Sequence, residues 1–62
     1  MTTLSELYFL NSGWGMNTII SVSHNSNFYK FKGKELPNCE FSNYIVAGFW
    51  DDLVVVKENS ND

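Results

Sequence analysis

His24 and Cys39 each occur once in this 62-residue chain, and a thiolate activated by an imidazole is the first chemistry their types suggest. Neither stands in a local signature of a nucleophile and its base. His24 falls where a hairpin tip is expected, and Cys39 lies in a connection after Pro37. A solitary cysteine more often packs as a small apolar residue than attacks a substrate. One His and one Cys also fall short of the three or four ligands that a zinc site needs. Asp51 and Asp52 are adjacent carboxylates, but neighbours in a strand or tight turn point apart. Their expected role is to solvate a turn between two apolar segments and to discourage edge aggregation. Gly13, Gly15, Gly33 and Gly48 match neither phosphate-loop nor dinucleotide spacing. No catalytic set, metal site or cofactor is therefore expected, and the chain reads as a protein that is not an enzyme.

Binding chemistry is better represented. Basic charge comes from four lysines and no arginine, against seven acids, for a net charge of -3. Three of the lysines lie in Tyr29-Lys30-Phe31-Lys32-Gly33-Lys34, where cations alternate with aromatics. On a strand, Lys30 and Lys32 share a face with Phe28, a set that can stack a base and meet phosphates. The missing arginine and the net acidity weigh against nucleic acid, and alternating lysines are usually the solvated face of a strand. Five Phe, three Tyr and two Trp remain to be housed. At about 150–250 Å² of buried surface each, aromatics can fill much of a small interior or form an adhesive patch outside it.

Length and composition bound the elements that position these residues. Folding a chain of this mass removes only about 60% of its unfolded surface from water, so a large enclosed site or several βαβ units are excluded. The aromatic content disfavours disorder. No run approaches the roughly 18 apolar residues of a membrane span, and Met1-Thr2-Thr3 lacks the basic start of a secretory leader. A single cysteine allows no intrachain disulfide, which points to the cytoplasm. Eight asparagines beside lysine-only basic charge suggest AT-rich coding DNA.

Thr3-Leu4-Ser5-Glu6 fits a capping box, with Leu4, Leu7 and Tyr8 at helical spacing. Leu7-Tyr8-Phe9-Leu10 is equally a short apolar strand, so residues 3 to 10 admit either element, ended by Asn11-Ser12-Gly13. From Asn17 the period becomes two. With Asn25-Ser26 as a two-residue loop, Val22 faces Tyr29 and Ile20 faces Phe31 on one side. Ser23 with Phe28, Ser21 with Lys30 and Ile19 with Lys32 fill the other. Apolar pairs thereby segregate from mostly polar ones, and a one-residue slip would undo the segregation. Residues 33 to 41 read as a turn and connection.

The last segment differs in kind, being apolar at nearly every position from Tyr44 to Val56 except Asp51-Asp52. One face carries Val46, Gly48, Trp50, Leu53 and Val55, the other Ile45, Ala47, Phe49, Val54 and Val56. Both faces need cover. These faces take Asp51-Asp52 as the loop; Asp-Asp is not the favoured chemistry of a type I′ turn, which leaves a longer loop as the alternative.

The expected fold is all-β, a small antiparallel sheet or partly open barrel of four or five short strands, with an N-terminal helical turn if residues 3 to 10 are helical. An α+β arrangement is the alternative. Residues 1 to 57 make one domain, and residues 58 to 62 a short disordered polar tail. The expected function is non-enzymatic: a protein-binding module of the small phage or mobile-element type, which inhibits or regulates a host protein by occupying its surface. Trp14, Tyr44, Phe49 and Trp50 are the expected anchors, with Asp51 and Asp52 at the rim. For so short a chain, assembly as a homodimer is also expected. Two alternatives remain: a single-stranded nucleic-acid-binding module using Lys30, Lys32 and Phe28, and a structural accessory subunit of a larger complex.

Overall fold

The computed structural model describes residues 1 to 11 and 13 to 59. Ser12, in the expected break after residue 10, and residues 60 to 62 of the expected tail lie outside them. Of residues 3 to 10, all but the extended Thr3 resolve as helix. Thr3 caps α1 (Leu4–Leu10): the Glu6 N–H donates to Thr3 Oγ1 at 3.2 Å, and the Thr3 N–H donates to Glu6 Oε1 at 2.8 Å. Two further N–H groups that a helix start leaves orphaned find distant carbonyls. Leu4 donates to Tyr44 and Ser5 to Ser42, both at 3.0 Å. With those donors satisfied, the helical spacing buries Leu4 fully and rests Leu7 and Tyr8 on the core.

Strands β1 (Ile19–His24) and β2 (Asn27–Lys32) pair across Asn25-Ser26 in the register the alternation predicts, with Val22 opposite Tyr29 and Ile20 opposite Phe31. Both loop residues are left-handed, at φ 51° and 68°, as a type I′ turn requires. Strands β3 (Ile45–Trp50) and β4 (Leu53–Lys57) pair across Asp51-Asp52. The loop is the two residues taken for it and not the longer alternative, and Asp51 takes a left-handed φ of 50°, a conformation that Asp tolerates better than most residues. A bulge at Ala47 also alters the expected faces. Val46 pairs with Val56 and so leaves the side of Gly48 and Trp50.

The four strands form one sheet in the order β2-β1-β4-β3. Its centre is parallel, with Ser21, Val22 and Ser23 beside Leu53, Val54 and Val55. The expectation of a purely antiparallel sheet is thus corrected to a mixed one. The cause is the connection after β2. A 3-10 helix (Gly33–Asn38) and residues 39 to 44 return the chain the length of the sheet before β3 starts, which is the crossover that parallel pairing demands. Strands β2 and β3 stand at the two edges, so the sheet is open and does not close into a barrel. The class is sheet-rich with one short α-helix.

Residues 33 to 41 are the connection expected of them, and they are also a core layer. Leu36 and Phe41 join Leu4, Ile20, Val22, Val54 and Val56 in the buried cluster. The Phe41 ring lies 4.9 Å from Tyr29, 5.0 Å from Tyr44, 5.4 Å from His24 and 6.1 Å from Phe31. Gly33 marks the tightest approach: a Cβ there would sit 2.2 Å from the Gly15 carbonyl oxygen. Helix, 3-10 helix and connection all cover one face of the sheet and leave the other bare.

Candidate functional site

The six residues expected to form an interface divide among four places. Tyr44 belongs to the aromatic cluster, with its ring 5.1 Å from His24 and edge-on to Phe41. Trp14 and Phe49 meet edge to face at 5.4 Å. With Leu7, Leu10 and Asp51 they line an open groove of about 530 Å³ on the helix side of the sheet. Trp50 follows Phe49 on the same strand, so its side chain projects to the opposite face, where it is 76% exposed. Asp52 is exposed at the hairpin tip, and its carbonyl accepts the Ser21 N–H at 2.7 Å, tying that tip to β1. Trp14, Phe49 and Asp51 are therefore brought together, while Tyr44, Trp50 and Asp52 stand apart from them.

The groove is one of three that share Leu10. A second, of about 490 Å³, runs between α1 and β3 past Val46 and Ala47, and a third, of about 340 Å³, passes Phe9 and Met1. Leu10 is itself 76% exposed. Sequence reasoning missed it, although the signal was present. Once Leu4, Leu7 and Tyr8 define the inward stripe of a helix, Phe9 and Leu10 fall off that stripe and must face water. Beside these grooves runs β3, an edge strand. Its outer side is occupied by Thr2 and Thr3 where Thr3 bridges Ile45 and the Val46 N–H donates to the Thr2 carbonyl at 2.8 Å.

The two residues weighed first as nucleophile and base are engaged elsewhere. Burial pushes the Cys39 thiol up from its ordinary pKa, against smaller lowering by backbone N–H groups, and Sγ donates to the Leu36 carbonyl at 3.5 Å. His24 ends β1 at the expected hairpin tip, next to Asn25-Ser26, and is not free there. Its side chain is 14% exposed, packs on Phe41 and Tyr44, and meets Glu58 through Nε2 at 2.7 Å. A hydrogen bond from its own backbone, then the one from His24, holds the Glu58 carboxyl below the usual carboxylate range. Glu58 and Asn59, whose amide donates to the Asn43 carbonyl at 3.5 Å, thereby lie against the domain. Among the described residues no group of three or more His, Cys, Asp or Glu side chains is placed to hold a metal ion. No helix there is long and apolar enough to cross a membrane.

No family model, curated protein or solved structure matches this chain. Helix α1 and strand β3 offer apolar side chains around shallow grooves, an arrangement suited to burying apolar residues of another molecule.

Proposed function

We propose that this chain is a non-enzymatic protein-binding module of the cytoplasm, and that it inhibits or regulates a protein partner by occupying one of its surfaces. The observation that supports the reading is Leu10, an exposed leucine on which three grooves converge. Phe9, Trp14 and Phe49 surround it, and Asp51 stands at the rim, giving the apolar centre and polar border of a hot-spot patch. The partner supplies an extended apolar segment. It lies along the outer side of β3 beyond the stretch that Thr2 and Thr3 already pair, adding its backbone to the sheet edge while its side chains enter the grooves.

The test compares capture from the native host by the intact chain, by Leu10→Asp and by Phe49→Asp, with circular dichroism as the check on folding. A partner retained by the intact chain and lost with either folded variant supports the reading. Equal retention by all three overturns it. Dimerisation of the chain over the same patch would show instead as a concentration-dependent mass that Leu10→Asp abolishes.

A further inference from the structure

The bare face of the sheet differs in chemistry from the surface around Leu10, and its occupant follows from that difference. The strand registers set its side chains in rows. Phe28, Ser23, Val55 and Gly48 form one row from edge to edge, and Lys30, Ser21, Leu53 and Trp50 form the next, with Lys32 beside Ile19 beyond. Phe28 is 69% exposed and Trp50 76%. None of the four strands contains an acidic residue, although the chain has seven. Glu35, the carboxylate nearest to β2 in sequence, is taken up by the Lys32 backbone N–H at 2.7 Å. The only ion pair among the described residues is that of His24 with Glu58, so Lys30 and Lys32 present ammonium groups that pair with no carboxylate among those residues.

From this juxtaposition we infer that the bare face binds single-stranded nucleic acid: bases stack on Phe28 and Trp50, and Lys30 and Lys32 receive phosphates along β2. Exposed aromatics offer a stacking surface to any base, and lysines whose ammonium groups enter no ion pair among the described residues favour a polyanion. Asp51 and Asp52, next to Trp50, exclude phosphates from the β3 end. The backbone of the strand is thereby confined to the β2 edge, with its bases directed across the sheet. Trp50 and Lys30 share a row but are three strand spacings apart, about 14 Å, so stacking at the two aromatics involves different nucleotides.

Anisotropy of a labelled oligothymidylate, about ten residues long, tests this on the intact chain. Binding at low salt is expected, weaker for a duplex of the same length. Two phosphate contacts predict a slope of log affinity against log salt of about -1.4. Lys30→Ala with Lys32→Ala should flatten that slope, and Phe28→Ala or Trp50→Ala should each weaken binding about tenfold without flattening it. Asp51→Asn with Asp52→Asn should tighten binding. Absence of binding at low salt by the folded chain overturns the inference, as does a salt slope unchanged in the double lysine variant. Equal affinity for poly-glutamate assigns the face to an acidic protein segment. A dimer that Val55→Lys dissociates, with no oligonucleotide bound, assigns it to a second copy. Either result overturns the proposal.

Discussion

The two faces of the sheet are built from the same four strands and meet opposite surroundings. On one, Ile20, Val22, Val54 and Val56 lie under Leu4 of α1 and under Leu36 and Phe41 of the returning connection. On the other, Ile19, Phe28, Trp50 and Val55 remain exposed, with Lys30 and Lys32 among them. Residues 44 to 56 were expected to need cover on both sides. Among the described residues the fold supplies one cover. The uncovered side is consequently where side-chain identity is released from packing and made available to a partner. The lesson is that an apolar residue in a small domain need not be a core residue: Val54 and Val55 are neighbours of the same size, yet one is fully buried and the other is 41% exposed.

Substitutions can break or sharpen this contrast. The largest effect is expected at the covered face, where Leu36→Ala should cost about 2–5 kcal/mol and Leu4→Ala a similar amount, measured by urea denaturation. Trp50→Ala, on the bare face, should stay within about 0.5 kcal/mol. A comparable cost for both would mean that the bare face is packed against something in the free protein. Next comes Gly33→Ala. Its Cβ would collide with backbone at the Gly15 carbonyl, and such overpacking costs about 1–3 kcal/mol. Smaller and of opposite sign, Ser26→Gly should stabilise by about 1 kcal/mol, since it relieves a left-handed φ in a residue with a Cβ. A loss of stability there would contradict the type I′ turn.

The smallest effect concerns Glu58, whose exposed carboxylate is screened by solvent. Its pKa is lowered in the folded state from the ordinary 4.5. The stability it contributes is therefore present above pH 4.5 and lost as pH falls through the lowered folded value. Glu58→Gln should make the melting temperature fall less steeply on acidification across that window. An unchanged acid dependence would show that the contact with His24 contributes nothing.

Much of this arrangement was legible in the sequence wherever the determinant was local. The capping residues Thr3 and Glu6 and the period-two alternation around Asn25-Ser26 each act over a few positions, and both appear as read. The parallel pairing of β1 with β4 joins residues about thirty apart and has no local signature, because it depends on where the crossover ends. The bulge at Ala47 was likewise hidden in a segment apolar on both faces, where a register shift leaves no mark on the pattern. Phe41 was overlooked as part of a polar connection, although it is the one large apolar side chain between Cys39 and Tyr44 and its ring meets four others. The expected interface residues were chosen by type, and type does not reveal that Phe49 and Trp50 project to opposite sides of one strand.

A protein partner is proposed for the surface around Leu10 and a different ligand for the bare face. Site-specific photo-crosslinking compares them directly, with a photoreactive residue placed at position 10 in one sample and at position 55 in another, each exposed to native host extract treated with nuclease. The prediction is one discrete protein adduct from position 10 and none from position 55. The same protein adduct from position 55, or from neither position, would contradict it.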